Sequence, residues 1–297
     1  MMALATKSRS TVRQVTLRIP SLRIPAGVQW SGLIGGSMLL VVLVATLFAP
    51  LIAPHDPRDV YVGETLQSPS RDHPFGTDML GRDQLSRVVY GGRTALMIAG
   101  FVLTVTVGVG TVVGCLGGYF GGRVDDGVSL LLNIVLALPG LSLTIAIVAV
   151  LGTGQTSLLI ALSATSWAWF ARVFRGSVFS VRETLYVEAA AAQGATHTRI
   201  ILRHIIPNVA RPILALASLR VSGVILAVAA LSFLGLGVQP PIPDWGVMLN
   251  DARPHMRTSP HLIVVPAMCI LMVSLGTNLF ADALLARSGL SGRGGRD

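Results

Sequence analysis

Charged side chains are scarce in this 297-residue chain, where they make up 12% of the residues against 52% for the hydrophobic ones. A soluble domain carries about 25% charged residues, so this chain has too little polar surface to cover a globule in water. Its uncharged runs are instead long enough to cross a bilayer, which takes roughly 20 residues of helix. The scarcity of charge therefore excludes an ordinary soluble protein and indicates an integral membrane protein.

Lysine is almost absent, because Lys7 is the single lysine among 23 basic residues and the others are arginine. A phosphate-binding G-x-x-x-x-G-K-[ST] loop needs a lysine after its glycines, and the sequence has no such loop. The sequence also lacks His-Glu metal motifs, G-x-S-x-G elbows and paired catalytic carboxylates. We therefore predict that the chain is not an enzyme and has no catalytic, cofactor-binding or metal-binding residues.

The two cysteines, Cys115 and Cys269, both lie within apolar runs. No CxxC spacing surrounds either of them, which is the spacing expected of a metal or redox site. We therefore predict that both cysteines are small buried hydrophobes and that neither forms a disulfide.

Six stretches of the chain are predicted to span a membrane. The uncharged run 127–171 has 45 residues and would be about 67 Å long as one helix, more than twice the ~30 Å hydrocarbon core. It must therefore turn, and we expect the turn at Gly152–Gln155. Backbone groups in lipid must be satisfied within each segment, so the predicted fold is all-α. The predicted spans cover residues 31–54, 94–120, two halves of 127–171, 212–238 and 258–281.

The distribution of arginine predicts how the chain is oriented. The formal charge is +9, and with the N-terminus inside, 15 basic residues fall on cytoplasmic segments and 7 on outer ones. Basic loops stay in the cytoplasm, so we predict both termini inside the cell (N-in/C-in) and no nucleic-acid partner. The predicted segments are a cytoplasmic basic tail (1–30), a first span (31–54), an extracytoplasmic loop (55–92), a core domain of five spans (93–286) with its main cytoplasmic loop at 172–211, and a cytoplasmic tail (287–297).

Arg220 is the one charge within a predicted span. Charges inside a membrane often mark transport pathways or interhelical ion pairs. However, Arg220 lies only about 12 Å of helix from Pro212, at the cytoplasmic end of its predicted span, so its long side chain could also extend to the interface. The sequence favours this second interpretation.

The cytoplasmic loop contains a helix-forming stretch from Tyr186 to Pro207, rich in alanine and isoleucine. Gly194 interrupts this stretch where a bend or a close contact would be tolerated, and Pro207 is expected to stop the helix. Composition alone supports two interpretations equally: a helix that docks on a partner, or an amphipathic helix resting on the membrane surface. The apolar face of the surface helix would consist of Ile200, Ile201, Ile205 and Ile206.

The same stretch resembles the EAA loop of ABC importer permeases, in which Glu-Ala-Ala is followed by glycine and then by isoleucine and proline. The residues that match are Glu188, Ala189, Ala190, Gly194, Ile206 and Pro207. The resemblance implies a type I ABC importer permease fold and a short coupling helix that docks in a groove of an ATPase subunit. It implies ATPase-coupling roles for Glu188, Ala189, Ala190, Gly194, Arg203 and Pro207. ATP and Mg²⁺ would then be bound by the partner ATPase subunits.

Two further stretches resemble the C-type permease subunit of dipeptide and oligopeptide importers. They are the string His73–Gly91 and the segment Leu231–Pro241, which is followed by Trp245-Gly246. The resemblance covers about residues 70–282, and the first string is expected to form an outward amphipathic helix that leads into the second span. It implies a multi-pass protein of the bacterial cytoplasmic (inner) membrane, in contact with membrane lipid, which imports peptides with a B-type sister permease, two ABC ATPase subunits and an extracytoplasmic peptide-binding protein.

Two alternatives stay open. The same machinery could import nickel, glutathione or another small solute, and the chain could instead be an ATPase-independent channel or scaffold. The chain also departs from relatives that carry an arginine and an aspartate before the third-span proline, because it has Leu130 and Asn133 there. Both charges are missing together, so we expect that Asn133→Asp alone would leave an unpaired charge in lipid.

Overall fold

The computed structural model describes residues 26–287, so most of the predicted tails, 1–30 and 287–297, lies outside the described residues. Within them the chain is mainly helical. The α-helices are α1 (Ala26–Leu47), α2 (Ala49–Ile52), α3 (Gln84–Phe120), α4 (Gly122–Ala137), α5 (Gly140–Leu151), α6 (Gln155–Arg182), α7 (Leu185–Ala192), α8 (His197–Ile200), α9 (Ile206–Phe233), α10 (Trp245–Ala252) and α11 (His261–Arg287). A π-helical segment (Ile201–Ile205) precedes α9, and a 3₁₀ turn (Arg253–His255) follows α10.

Five of the described helices, α1, α3, α6, α9 and α11, are long and apolar enough to cross a membrane. The pair α4 and α5 also passes this test when the two are taken together, although they bend by 80° at their junction. Six crossings result if this pair is one broken span. The all-α, multi-span prediction is therefore confirmed for the described residues.

The breaks between these helices lie at glycine and proline. The expected turn at Gly152–Gln155 separates α5 from α6, and Gly152 and Gly154 both have positive φ, of 86° and 143°. The α4–α5 bend lies at Leu138 and Pro139. Proline has no N–H to donate to the preceding turn and its ring clashes with that turn, which accounts for the break.

Helices α3 and α6 pack closely because glycines repeat along one face of α3. A Cβ at Gly110 would lie 2.6 Å from the Phe170 ring, and one at Gly114 or Gly118 would lie 2.6 Å from a backbone carbonyl of α6. Small residues four apart let two membrane helices approach backbone to backbone. The two helices therefore form a closely packed pair.

Helix α3 begins ten residues earlier than the predicted second span, at Gln84. The Asp83 side chain caps it by accepting a hydrogen bond of 2.8 Å from the Ser86 backbone N–H. The expected amphipathic helix over 73–91 is thus helical only from Gln84 onward. The charge of Arg87 is tolerated inside this helix because an acidic partner neutralises it within the protein.

Helix α6 continues to Arg182, so the predicted loop 172–211 begins inside a helix rather than after one. Two arginines on one side of α6 are paired with α4, which allows the helix to carry charge. Arg172 donates a hydrogen bond of 2.7 Å to the Asn133 side chain, and the Arg175 guanidinium forms an ion pair with Asp125. Residues three apart share one helix face, and this face points to α4.

The contact between Arg172 and Asn133 reverses the expectation for Asn133→Asp. An aspartate there would meet a guanidinium 2.7 Å away and would form an ion pair. We therefore expect Asn133→Asp to leave the yield of folded membrane protein within about twofold of wild type. Expression followed by size-exclusion chromatography in detergent measures this yield. The double change Asn133→Asp with Arg172→Gln is the control, and it should lower the yield because the carboxylate then lacks a partner.

The predicted orientation can be tested with single cysteines in a chain carrying Cys115→Ala and Cys269→Ala. Arg71→Cys lies on the predicted outer loop, Thr198→Cys lies on the predicted cytoplasmic segment, and both positions are exposed. We expect a membrane-impermeant maleimide to label position 71 in intact cells, and position 198 only after the membrane is opened. Labelling of position 198 in intact cells would contradict the six-span orientation.

Candidate functional site

The segment that resembles the EAA loop folds into two short helices and a π-helical segment. Thr184 precedes α7, and the Val187 and Glu188 backbone amides both donate to the Thr184 carbonyl. Thr196 caps α8, where its hydroxyl accepts from the Arg199 backbone N–H at 3.3 Å. These local contacts fix the path of the segment from the end of α6 to the start of α9.

Gly194 ends helix α7 in a Schellman turn. Its φ is 79°, the Ala195 N–H donates to the Ala190 carbonyl, and the Gly194 N–H donates to the Ala191 carbonyl. The left-handed conformation strains any residue with a Cβ, so glycine is favoured here for its backbone. No atom of the described chain lies within 4 Å of where a Cβ would be. The space above Gly194 is therefore open to a partner.

The apolar side of this segment is buried on the chain's own helices. Val187, Ile200 and Ile205 are at most 4% exposed, and they belong to one cluster with Tyr119 and Phe174 of α3 and α6. The expected lipid-facing surface of the amphipathic interpretation thus includes Ile200 and Ile205, which face protein instead. The structure therefore favours a helix fixed to the permease core over one that rests on lipid.

The polar side of the segment faces away from the chain's own core. Glu188, Ala189, Gly194, Arg203 and Pro207 are exposed, whereas Ala190 is half-buried. Glu188 lies at the rim of a cavity of about 420 Å³ between this segment and the ends of α3 and α6. The cavity is also lined by Arg182 and His197, and the Tyr119 hydroxyl lies 2.8 Å from His197 Nδ1. The described structure therefore offers an exposed, partly charged surface next to a concave site.

Pro207 does not stop the helical path as expected. The chain passes from α8 through the π-helical segment Ile201–Ile205 directly into α9, and Pro207 lies in the first turn of α9. Proline is tolerated there because the first amides of a helix have no intrahelical acceptor. Arg203 lies within the π-helical segment. The segment 184–205 is thus continuous with α9, a candidate membrane-spanning helix, which allows a movement at one to be transmitted to the other.

Arg220 lies in the middle of α9 and not near its end. The helix begins at Ile206, so Arg220 is about 21 Å from its start and about 20 Å from Phe233. The apolar part of α9 begins at Leu216, so Arg220 lies about 6 Å from that end of the candidate span, and its extension to the interface stays a prediction. The guanidinium carbon lies 4.1 Å from the ring centroid of Trp169 on α6.

A cavity of about 190 Å³ opens beside Arg220 between four helices. Its lining combines hydroxyl groups with small and apolar residues. The residues are Leu103, Thr106, Gly140, Leu141, Thr144, Leu162, Thr165, Ser166, Arg220, Gly223, Val224 and Ala227. Ionisable and hydroxyl groups that line a cavity between membrane-spanning helices often mark a transport pathway.

The predicted outer loop, 55–92, is fixed by a buried network of charges. Asp78 accepts from Arg82 Nε at 2.6 Å and forms an ion pair with Arg87. Asp251 of α10 also accepts from both arginines, at 3.4 Å from Arg82 and 3.3 Å from Arg87. Asp78, Arg82 and Arg87 are at most 5% exposed, so this part of the string His73–Gly91 is interior. The network ties the 55–92 loop to α10.

Two other polar groups hold the outer face together. Asp244 caps α10 by accepting hydrogen bonds from the Gly246 and Val247 amides. Burial raises the pKa of its carboxyl above the ordinary value, and these hydrogen bonds offset only part of that rise. The Trp245 indole N–H donates to the Val88 carbonyl at 2.8 Å. The start of α10 is thus fixed to the first turns of α3.

One ligand atom each from His55, His73 and Asp83 lies within 4.8 Å of the other two, although the sequence predicts no metal site. The Asp83 oxygens already have partners in the described chain. One lies 3.0 Å from His73 Nδ1, and the other accepts from the Ser86 amide and hydroxyl. This cluster is explained as a helix cap extended by a histidine.

Sequence reasoning missed Asp251, Trp169 and Thr106. The pairing of Asp251 with the outer arginines joins residues 164 to 169 positions apart, and nothing in the local pattern indicates it. Trp169 carried a usable signal, since an aromatic residue on one span can cover an arginine on another. Thr106 is one of many hydroxyl residues in the apolar runs and gave no distinctive signal.

Comparison with known proteins identifies the family. Residues 110–288, more than half of the chain, match the family described as binding-protein-dependent transport system inner membrane component. The chain belongs to this family. Residues 29–69 match a second family, the N-terminal TM domain of oligopeptide transport permease C. This protein is therefore a multi-pass permease subunit of an ABC importer, which agrees with the resemblance drawn from its motifs.

Relatives are similar over most of both chains. A dipeptide transport system permease protein, DppC, of Alkalihalophilus pseudofirmus is 39% identical over 252 residues, covering 85% of this chain and 83% of that protein. A glutathione transport system permease protein, GsiD, of Escherichia coli is 38% identical over 247 residues, covering 83% of this chain and 82% of that protein. The two relatives differ in the solute they are named for, and this permease is about equally similar to both.

A solved structure supports the fold. An inward-facing MetNI methionine ABC transporter contains a chain that matches with a TM-score of 0.55 and 17% identity, covering 68% of this permease and 95% of that chain. At this identity the likeness concerns the fold alone. It agrees with the type I ABC importer permease fold expected from the sequence.

Proposed function

We propose that this permease forms one membrane-spanning half of an ATP-driven importer of di- and oligopeptides. Its similarity to a dipeptide permease over 85% of the chain supports this solute class. The observation that carries the proposal is the geometry of the segment 185–205, where Val187, Ile200 and Ile205 are buried on the core while Glu188 and the open space above Gly194 face away from it. A segment with this arrangement is suited to transmit the movement of a docked subunit.

The proposed partners follow from what the chain contains. It has no lysine that could serve a phosphate-binding loop, so two ABC ATPase subunits would hydrolyse ATP. A B-type sister permease would supply the other half of the pathway, and an extracytoplasmic peptide-binding protein would deliver the solute to the outer face. In the proposed cycle, ATP-driven closure of the ATPases draws the coupling segments together and opens the pathway outward, and hydrolysis restores the inward state.

The six predicted coupling residues receive distinct roles in this proposal. Glu188 offers an exposed carboxylate to a basic ATPase residue, and Arg203 offers a cation on the π-helical segment. Ala189 and Ala190 keep the helix surface small for close docking. Gly194 ends α7, and Pro207 starts the helix that carries the movement into the membrane.

Uptake of labelled solutes in cells that lack this chain tests the solute class. We expect deletion to abolish accumulation of a labelled dipeptide, and a plasmid copy of the chain to restore it. Excess glutathione and nickel serve as competitors, because similarity to a glutathione permease makes glutathione the second candidate. Strong inhibition of wild-type uptake by unlabelled di- and tripeptides supports the peptide role. Loss of glutathione or nickel uptake with intact peptide uptake would contradict it.

A further inference from the structure

Arg220 has a guanidinium with no charged partner among the described residues, although it lies within the apolar stretch Leu216–Phe233 of α9. The residues that line its cavity include no carboxylate, and Arg220 Nε is buried without a hydrogen bond within the described chain. Keeping an arginine in such a stretch is costly, and such residues are retained where they bind a counter-charge or a solute.

The stacking on Trp169 leaves the N–H donors at the edge of the guanidinium free to bind a ligand. At 4.1 Å from the ring centroid, the indole covers one face of the planar group. The N–H donors of arginine lie in the plane of the group, so a stacked guanidinium can still donate sideways to a second ligand. Two parallel N–H donors match the two oxygens of a carboxylate. The stacking partner thus orients Arg220 without occupying its donors.

The walls of the cavity complement this cation. The Thr106 hydroxyl is buried and has no hydrogen-bond partner within the described chain, whereas Thr144 and Thr165 lie 3.1 Å apart, hydroxyl to hydroxyl. A volume of about 190 Å³ is more than ten times the roughly 15 Å³ that one water needs. Gly140, Leu141 and Gly223 are exposed at the edge, so the cavity opens to the outside of this chain. The site therefore has room for part of a solute and an entrance for it.

We propose that the Arg220 cavity is a transit site for the carboxylate of the transported solute. Arg220 would donate to the carboxylate oxygens, Trp169 would hold the guanidinium in place, and the Thr106 hydroxyl would offer a further polar contact. This proposal rests on the proposed peptide function, because every unmodified peptide ends in a carboxylate. It makes this permease, and not only the binding protein, selective for acids over neutral solutes.

The test compares a labelled dipeptide with its C-terminal amide in proteoliposomes that contain the whole transporter. ATP is enclosed, and binding protein saturated with either form is supplied outside, with its loading measured separately. For Arg220→Gln we expect uptake of the acid to fall by about 10- to 100-fold, the size of losing hydrogen bonds between charged partners. Uptake of the amide should stay within twofold. Arg220→Lys keeps the positive charge but lacks the two parallel N–H donors, so it should take up the acid at an intermediate rate.

Arg93→Gln is the matched control, because Arg93 is exposed at the outer end of α3 and lies outside the cavity. It should change neither rate by more than twofold. An equal fall for acid and amide in Arg220→Gln, or no fall for either, would overturn the carboxylate site while leaving peptide import intact. If the wild-type transporter takes up neither form, the proposed peptide function fails as well, and this result is distinguished because it does not involve the variant.

Discussion

The Gly194→Asn transporter is expected to lose at least about tenfold of the stimulation of ATP hydrolysis by loaded binding protein, while inserting and assembling normally. Asparagine is among the few residues that adopt the left-handed conformation with little strain, so it preserves the Schellman turn at φ 79°. It places a side chain in space that is empty in this chain and that the proposed ATPase groove would occupy. Obstructing the centre of an interface costs about 2 kcal/mol or more of binding free energy, which weakens the affinity by more than tenfold.

Gly194→Ala separates docking from backbone conformation. Alanine adds a small side chain, but the left-handed conformation costs it about 1–2 kcal/mol of conformational free energy. If only the turn mattered, Gly194→Asn would be near wild type and Gly194→Ala would be impaired. If docking matters, both variants lose stimulation. Glu188→Gln, which removes an exposed charge and keeps the side-chain shape, should also reduce stimulation.

The assay is the ATPase rate of the purified transporter with and without loaded binding protein. Gly127→Asn is the control, because a Cβ at Gly127 on α4 also meets no atom of the described chain within 4 Å. It should keep wild-type stimulation. Wild-type stimulation in both Gly194→Asn and Glu188→Gln would refute the coupling role of the segment.

The second large effect concerns the buried charge network of the outer face, where Asp78→Asn is expected to destabilise the folded permease by about 3–5 kcal/mol. Asp78 accepts from Arg82 and Arg87, and all three side chains are at most 5% exposed. Its loss leaves two buried guanidinium groups that share only Asp251, at 3.3–3.4 Å. An uncompensated buried cation is costly because it cannot be hydrated.

Thermal unfolding of the purified transporter, followed by size-exclusion chromatography, measures this effect. Asp72→Asn is the control, because Asp72 is exposed on the same loop and should shift stability by no more than about 0.5 kcal/mol. Asp251→Asn should fall between the two, since the Asp251 side chain is 24% exposed and its contacts are longer. Equal unfolding temperatures for Asp78→Asn and Asp72→Asn would show that the network does not stabilise the fold.

Local sequence features predicted the parts of this fold that depend on local chemistry. The uncharged runs gave the spans, and Gly152–Gln155 gave a turn that the structure confirms. The small residues Gly110, Gly114 and Gly118, visible in the sequence, allow the close packing of α3 on α6. These features depend on hydrophobicity, backbone freedom and side-chain size, all of which can be read from short stretches of residues.

Features that depend on distant partners were not predictable in the same way. The charges of Arg172 and Arg175 indicated a loop, but α6 continues through them because Asn133 and Asp125 of α4 satisfy both. The helix that carries Arg220 begins at Ile206 rather than at Pro212, because the π-helical segment leads directly into it. A charge inside a helix is tolerated when tertiary structure supplies its partner, and one sequence does not name that partner.

Uptake of a labelled dipeptide into proteoliposomes, with loaded binding protein outside and ATP enclosed, tests the proposed role of this permease most directly. Peptide should accumulate only when ATP, the ATPase subunits and both permease subunits are present, and accumulation should be lost when this chain carries Gly194→Asn. Accumulation without ATP, or in vesicles that contain this chain alone, would contradict the coupled importer and indicate a channel.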